Sequence, residues 1–273
     1  MNPSPLKIQT PSATAEIFPQ LGGHLTAWQP AGQKPVLWVS SKSHFEPGKA
    51  IRGGVPIIFP WFGPRAGHPE SPAHGFARSM PWTVRENANG SVRMDLQSSD
   101  ATRAQWPYDF ALELSLNIGA ELVMKLKVTN TGKEPFKFEE AMHTYFAIGD
   151  VRNISITGLS GVEFIDKVDA FKHKVQSGDP ITITGETDRV YLNTKSTCVI
   201  HDPVGARNIS VAKENSDATV VWNPWIAKAK ALSDFGDDEW PGMVCVETCN
   251  VGDFSVSLNP GQSHVMTAKV SVQ

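Results

Sequence analysis

The segment MVCVETCN, residues 243–250, places a carboxylate in a stretch that is otherwise typical of a buried strand. Period-two alternation puts Glu247 on one face with Cys245 and Cys249, while the valines lie on the other face. Because both faces are mostly apolar, the strand is predicted to be covered on two sides. A buried unpaired charge is costly. The cost is tolerable if Glu247 lines a cleft rather than a closed core, and partial desolvation there would raise the pKa of its carboxyl group.

A second segment with candidate functional residues is IRGGVPIIFPWFGPRAGHPESPAHGFARSMPW, residues 51–82. It is rich in proline and glycine around an apolar filling, which predicts a long ordered loop. Gly53 and Gly54 would allow a close backbone approach. Two interpretations stay open from this segment alone. Long ordered loops usually serve a function, but this one could also cap the fold with solvated basic residues, which are Arg52, Arg65, His68, His74 and Arg78.

Two further segments carry single candidates. In FEEAMHTYFAIGD, residues 138–150, alternation puts His143 on one face with Ala141 and Tyr145. A lone strand histidine is more often a core or surface residue than a catalyst. GETDRVYLN, residues 185–193, places Asp188 and Arg189 just before a predicted strand. A surface turn with a local ion pair explains that segment equally well.

Three tryptophans, Trp222, Trp225 and Trp240, precede the strand of Glu247. Flat aromatic rings pack against the apolar faces of sugars, so tryptophans beside a polar cleft suit carbohydrate binding. Tryptophans also fill the cores of β-sandwiches, and both interpretations stay open here.

The elements that would position these residues are predicted to be strands. Many short segments alternate with period two and are separated by turn signals such as Asn89–Gly90, at intervals of roughly 8–12 residues. We predict an all-β fold, a large antiparallel β-sandwich with few or no long helices, as a single domain over residues 1–273. Residues 91–130 are predicted to form a three-stranded meander. The best short helix candidate is VDAFKHKV, residues 168–175.

Composition limits the classes of binding partner that we expect. The net charge of −3 gives no reason to expect nucleic acid or an anionic membrane. The three cysteines do not form a disulfide framework, and we expect reduced thiols. No histidine or cysteine spacing typical of a metal site is present. Neither a signal peptide nor an apolar run long enough to span a bilayer is apparent. We expect a cytoplasmic protein without a membrane partner.

Taken in order, these motifs resemble one family. RGGVPIIFPWFGPR, PAHGFAR, HTYF, TDRVY, WNPW and DFGDDEWPGMVCVETCN are similar to the hexose-6-phosphate mutarotases, also called glucose-6-phosphate 1-epimerases. These belong with the galactose mutarotase-like, aldose 1-epimerase superfamily. The resemblance covers nearly the whole chain. It implies a sandwich of the galactose mutarotase type and no metal or organic cofactor.

The resemblance also implies roles for individual residues. It makes Glu247 the catalytic base and His143 the catalytic acid, with His74 as a further active-site histidine. Asp188 matches a carboxylate that binds sugar hydroxyls. Arg52 and Arg78 match substrate-binding arginines that suit a phosphate, because guanidinium groups donate paired charge-assisted hydrogen bonds. Many family members carry glutamine where this chain has Ala73, which leaves the preferred hexose open.

The implied activity is the interconversion of α and β anomers of glucose 6-phosphate and related hexose 6-phosphates. The expected partner is therefore a small phosphorylated hexose, and the expected state is a monomer. Two alternatives stay open: an aldose 1-epimerase acting on unphosphorylated sugars, and a non-catalytic carbohydrate-binding β-sandwich, since fold alone does not determine function.

Overall fold

The chain folds almost entirely into β-strands in a computed structural model that describes residues 3–178 and 180–273. The strands in chain order are β1 (Leu6–Gln9), β2 (Ala13–Phe18), β3 (His24–Pro30), β4 (Ile57–Ile58), β5 (Thr83–Ala88), β6 (Ser91–Gln97), β7 (Phe110–Ile118), β8 (Glu121–Asn130), β9 (Phe136–Phe138), β10 (Glu140–Met142), β11 (Tyr145–Ala147), β12 (Ser155–Thr157), β13 (Glu163–Asp166), β14 (Lys172–Val175), β15 (Thr187–Tyr191), β16 (Cys198–Asp202), β17 (Arg207–Glu214), β18 (Ala218–Asn223), β19 (Met243–Asn250), β20 (Val256–Leu258) and β21 (Ser263–Val272). The two α-helices are α1 (Asp100–Arg103) and α2 (Trp225–Ala231). Four short 3-10 helices cover Pro19–Leu21, Ala77–Ser79, Trp240–Gly242 and Gly252–Phe254. The all-β prediction is confirmed, and no helix in the described ranges reaches ten residues.

Two antiparallel sheets of eight strands each form the body of the fold. The front sheet has the order β14-β13-β15-β18-β19-β10-β4, and β11 also pairs with β19. The back sheet has the order β12-β16-β17-β21-β8-β7-β6-β5. Smaller sheets join β1, β2 and β3, and β9 with β20. The predicted meander is confirmed, because β6, β7 and β8 are consecutive neighbours in the back sheet.

One hydrophobic cluster fills the space between the sheets. It includes Val246 of β19, Leu126 of β8 and Ile17 of β2, all at most 1% exposed. A polar contact also crosses the core, since the Asn250 side chain of β19 lies 3.3 Å from His264 Nε2 of β21. A continuous core of this kind supports our expectation of a single domain, which remains a prediction.

The strand pattern of residues 136–148 is interrupted. We expected one strand, but β9, β10 and β11 are separate elements. β10 pairs with the end of β19 at Thr248–Asn250, and β11 pairs with its beginning at Met243–Cys245. Val246 and Glu247 therefore face the break between β10 and β11, where His143 lies.

Two local predictions were wrong. Residues 168–175 do not form a helix, because Lys172–Val175 extend as β14 and pair with β13. An eight-residue helix is marginal alone in water, whereas this edge strand gains a ladder of backbone hydrogen bonds. Asp188 and Arg189 lie within β15 rather than before it, and their register with β18 places them in the front sheet.

Two parts of the loop of residues 51–82 pack inward, residues 53–61 and 75–77, whereas residues 66–70 between them are exposed. Phe59 is fully buried, and the Phe76 and Ala77 amides both donate to its carbonyl. Gly54 has a φ of +60°, and a Cβ there would lie 2.3 Å from the Leu25 carbonyl oxygen. The close approach predicted for the Gly53–Gly54 pair is therefore to the protein's own backbone.

Cys198, Cys245 and Cys249 are buried and form no disulfide. Within the described ranges, every helix is too short or too polar to cross a bilayer.

A buried amide fixes the segment that joins β18 to β19. Asn223 is fully buried, and its Nδ2 donates to the carbonyl oxygens of Trp240 and Met243 at 2.8 and 2.9 Å. Its Oδ1 accepts from the Trp225 amide at 2.9 Å, at the start of α2. One side chain thus holds both ends of the segment that carries α2.

We predict that Asn223→Ala lowers the free energy of unfolding by about 2–4 kcal/mol, because it leaves three backbone groups without partners in the interior. Denaturant titration measures the change. Asn117→Ala is the matched control, since Asn117 is exposed on β7, and it should change stability by less than about 0.5 kcal/mol. Equal effects of the two substitutions would contradict this role.

Candidate active site

One cavity of about 320 Å³ brings together all six residues singled out in the sequence. It opens beside the centre of the front sheet. The six residues are Arg52, His74, Arg78, His143, Asp188 and Glu247. The other lining residues are Phe62, Ala73, Lys167, Val220, Trp222, Lys228 and Leu232.

The centre of the cavity is a carboxylate–imidazole pair. Glu247 projects from β19, which is buried along its whole length, and is itself only 1% exposed. His143 lies in the break between β10 and β11, and its Nε2 is 3.3 Å from Glu247 Oε1. The His143 amide donates to the Pro56 carbonyl, which ties this break to the loop of residues 51–82. A carboxyl group and an imidazole are thus held side by side at the cavity wall.

Burial favours the neutral form of each member of the pair. It raises the pKa of Glu247 well above the ordinary value, and the nearby Asp188 charge adds to the effect. Burial lowers the pKa of His143 well below its ordinary value, and the nearby positive charges of Arg78 and Arg52 add to the effect. The physical consequence is a pair that holds one proton between two groups. Such a pair can give a proton at one atom and take a proton at another.

The His143 ring is oriented by Tyr145. The two rings stack with centroids 4.8 Å apart and planes inclined by 11°. The Tyr145 hydroxyl in turn accepts a hydrogen bond from Arg52 Nη1 at 3.1 Å. Tyr145 therefore connects an arginine of the cavity to the imidazole, a link that alternation along the chain could not reveal.

His74 presents one defined nitrogen to the cavity. Its Nδ1 accepts a hydrogen bond from the Gly63 amide at 3.3 Å. Burial is the main cause that lowers its pKa well below the ordinary value. A neutral imidazole that accepts at Nδ1 carries its proton on Nε2. His74 is therefore a hydrogen-bond donor, with its ring edge-on to His143 at a centroid distance of 5.8 Å.

Asp188 has a cationic partner that the sequence analysis missed. Lys167 Nζ lies 2.8 Å from Asp188 Oδ2, and the Lys167 ammonium also lies 5.6 Å from the Phe62 ring centroid. Asp188 therefore pairs with Lys167, in the turn after β13, and not with its neighbour Arg189 as we expected. Both charged groups line the cavity, so together they offer a hydroxyl group one acceptor and one donor.

The two arginines differ in how fully they are engaged. Arg52 donates from Nε and Nη2 to Asp234 at 3.2 and 3.1 Å, besides its bond to Tyr145. Arg78 donates from Nη2 to the Ala73 carbonyl at 2.8 Å. Within the described part of the chain, no carboxylate forms an ion pair with Arg78. Burial is the main cause that lowers its pKa to about 10, which leaves it a cation at neutral pH.

A second cavity of about 420 Å³ meets the first at the arginines. Its lining shares Arg52, Arg78 and Leu232 with the first cavity and adds two basic side chains, His44 and Lys49. Two guanidinium groups therefore lie at the junction of the two cavities, where Asp234 pairs with Arg52. This arrangement suits an anionic group at one end of a ligand.

Other residues noted in the sequence lie elsewhere. Arg65 donates to the Gln105 carbonyl and its guanidinium stacks over Trp61, while His68 contacts Glu70. Of the three tryptophans, only Trp222 lines the cavity. Trp225 and Trp240 pack against each other, with ring centroids 4.3 Å apart.

Three side chains could hold a metal ion. One donor atom from each of His143, Cys245 and Glu247 lies within 4.8 Å of the other two. Cys245 and Glu247 are alternate residues of β19, whereas His143 comes from the break between two other strands. This grouping crosses strands and has no signature in local spacing.

Comparison with known proteins places this architecture in a family. Residues 5–271 match the family described as Aldose 1-epimerase. A protein of Salmonella typhimurium named "Putative glucose-6-phosphate 1-epimerase" is 41% identical over 235 residues, which cover 85% of this chain and 78% of the relative.

Solved structures agree in fold. The crystal structure of a protein described as a mutarotase from Salmonella typhimurium is 36% identical, has a TM-score of 0.89, and covers 97% of this chain and 89% of its own. A galactose mutarotase-like protein from Lactobacillus casei is 16% identical, with a TM-score of 0.75 and coverage of 99% and 100%. The second likeness concerns the fold alone and confirms the galactose mutarotase type of sandwich. The chain belongs to the aldose 1-epimerase family.

Proposed function

We propose that this protein is a hexose-6-phosphate mutarotase that interconverts the α and β anomers of glucose 6-phosphate and related sugar phosphates. The observation that carries the proposal is the pairing of two features in one cavity. A buried Glu247–His143 pair lies at its wall, and Arg78 lines the same cavity without a carboxylate partner. The name of the Salmonella typhimurium relative supports the phosphorylated substrate.

The reaction needs two coordinated proton transfers. Glu247, as base, takes the proton from the C1 hydroxyl while His143, as acid, protonates the ring oxygen. The bond between C1 and the ring oxygen breaks, and C1 becomes a carbonyl. Rotation about C1–C2 presents the other face of the carbonyl, and the ring closes with both transfers reversed. Each positioned proton transfer contributes typically about 10²–10⁴-fold in rate.

A pair that shares one proton suits a reversible reaction of this kind. Ring opening starts from the tautomer in which Glu247 is a carboxylate and His143 is protonated, and it ends with Glu247 protonated and His143 neutral, so the net charge of the pair is unchanged. Ring closure restores the first tautomer. Because burial favours the neutral form of each group, it favours the tautomer that ring opening produces.

The remaining side chains position the sugar. His74 donates from Nε2, and the Asp188–Lys167 pair offers an acceptor and a donor to ring hydroxyls. Trp222, whose ring is edge-on to His143 with centroids 6.1 Å apart, supplies an apolar surface. Ala73 leaves space where many family members carry glutamine, so the sugar contact at that point differs in this chain.

The phosphate is assigned mainly to Arg78. A guanidinium has five N–H donors, and Arg78 donates one of them to the Ala73 carbonyl. Arg52 donates three to Asp234 and Tyr145, so it offers the phosphate its two other N–H groups and its charge. Our expectations of a monomeric, cytoplasmic protein without nucleic-acid or membrane partners remain predictions.

The reaction is tested directly by saturation-transfer NMR on glucose 6-phosphate. We predict that the protein accelerates exchange between the α and β C1 protons, and that EDTA does not lower the rate, because proton transfer by Glu247 and His143 needs no metal. Faster exchange on glucose or galactose than on the phosphate would favour the unphosphorylated aldose reaction. Binding of the sugar phosphate without exchange would favour a carbohydrate-binding module.

The phosphate contact is tested by Arg78→Ala. We predict that KM for glucose 6-phosphate rises about 10–150-fold, since a hydrogen bond to a charged group contributes roughly 1.5–3 kcal/mol. The rate on glucose should change little. Arg65→Ala is the matched control, because Arg65 lies in the same loop but outside the cavity. Equal loss on both sugars would show that Arg78 does not bind the phosphate.

The base is tested by Glu247→Gln, which keeps the shape of the side chain. We predict that kcat falls by about two to four orders of magnitude while KM changes little, because the amide still hydrogen-bonds but cannot take a proton. The free energy of unfolding should stay equal or rise, since a poorly solvated acid is replaced by a neutral amide.

Two further variants complete that test. His143→Gln should lose a similar factor in kcat, and the double variant should be little worse than either single one, because the two groups act as a unit. Glu140→Gln is the control, since Glu140 is equally buried on the neighbouring strand but does not line the cavity. A Glu247→Gln protein with near-normal kcat would contradict the assignment.

A further inference from the structure

Three donor atoms of different chemistry meet at the cavity wall. His143, Cys245 and Glu247 each place one donor within 4.8 Å of the others, and all three are buried. Glu247 Oε2 and His143 Nδ1 are buried without hydrogen-bond partners. Cys245 does not line the cavity, so its sulfur lies beside the pair rather than where the sugar is proposed to bind.

The combination of imidazole nitrogen, sulfur and carboxylate oxygen is a ligand set for zinc. Zn²⁺ binds nitrogen at about 2.0–2.1 Å, oxygen at about 2.0–2.2 Å and sulfur at about 2.3 Å, in tetrahedral geometry. Those lengths place neighbouring ligands roughly 3.3–3.6 Å apart. Two donors at the 4.8 Å limit therefore need to close by about 1.2–1.5 Å, which rotation of side chains can supply. His143 and Glu247 both line the cavity, so a metal ion bound to them would lie at the cavity wall.

We propose that His143, Cys245 and Glu247 form an inhibitory binding site for Zn²⁺ and similar borderline-soft divalent cations. On binding, the metal bonds an imidazole nitrogen, a carboxylate oxygen and the sulfur, and both the thiol proton and the proton shared by Glu247 and His143 are released to solvent. Neither Glu247 nor His143 can then transfer a proton to or from a sugar. The inhibition rests on the proposed function, whereas the binding does not.

The ligand set also determines which cations bind. Mg²⁺ and Ca²⁺ prefer sites made of oxygen ligands, and this site offers a single carboxylate. Nitrogen and sulfur ligands select zinc and related transition metals instead. Mg²⁺ should therefore neither bind the trio nor protect it from Zn²⁺.

Inhibition is measured by titrating Zn²⁺ against the glucose 6-phosphate exchange rate, with each variant compared to its own metal-free rate. We expect Zn²⁺ to stop exchange reversibly, with recovery on EDTA, and Mg²⁺ to have no effect. Cys245→Ala should weaken inhibition at least about 10–100-fold. Loss of a residue that only hydrogen-bonds a metal ligand already lowers metal affinity by that factor, and Cys245 is itself a proposed ligand. Cys249→Ala is the matched control, because Cys249 is buried on the same face of β19 but lies outside the trio. Equal inhibition of both variants, or none of the wild type, would overturn the proposal.

Binding is measured separately with Co²⁺ in place of Zn²⁺. We expect a thiolate-to-cobalt charge-transfer band in the near ultraviolet for the wild type and for Cys249→Ala, absent from Cys245→Ala and abolished by excess Zn²⁺. This readout needs no turnover, so it separates failure of the metal site from failure of the proposed enzyme. A wild-type spectrum without the band would overturn the site even if Cys245→Ala did not fold.

Discussion

The organisation of this protein depends on one constraint, which is that a carboxylate must be kept in the interior without a fixed ionic partner. Glu247 lies on a strand whose eight residues are all buried, and one of its oxygens has no hydrogen-bond partner. Such a group is tolerated only where a neighbour can share its proton and where a cavity admits a ligand. The surrounding sheet meets both requirements, and this makes the group useful for proton transfer.

The pairing register of β10 and β11 with β19 is what meets these two requirements. β10 and β11 pair with the two ends of β19 and leave its middle opposite a break. His143 lies in that break, beside Glu247 instead of in a ladder. The loop of residues 51–82 covers the same edge, and the arginines at its two ends bring positive charge to the cavity. The imidazole, carboxyl and guanidinium groups of the cavity thus come from distant parts of the chain and meet because of strand pairing.

Much of this could be predicted from the sequence. Period-two alternation identified most strands, and the mismatch between Glu247 and its apolar neighbours marked that residue as unusual before any geometry was known. A motif order similar to a known family then indicated Glu247 and five other residues that line the cavity. These signals are local, and local signals are what a single sequence carries.

The features that escaped prediction depend on contacts between strands. The break at His143 is set by pairing with β19, which the continuous pattern of residues 136–148 does not show. Lys167 and Tyr145 act through partners that lie 21 and 93 positions away in the chain, Asp188 and Arg52. The grouping of Cys245 with His143 likewise has no spacing signature. Cys249, the other member of the cysteine pair visible in the sequence, is not part of this group.

The central claim is that one carboxylate and one imidazole move protons at the C1 hydroxyl and the ring oxygen, so that the bond between C1 and its hydroxyl oxygen stays intact. Glucose 6-phosphate labelled with ¹³C and ¹⁸O at C1 tests this most directly, since a ¹³C NMR spectrum reports anomer exchange and the isotope shift of the label together. The account predicts many anomer exchanges with no loss of ¹⁸O beyond that in the absence of protein. Loss of ¹⁸O in proportion to exchange would contradict it.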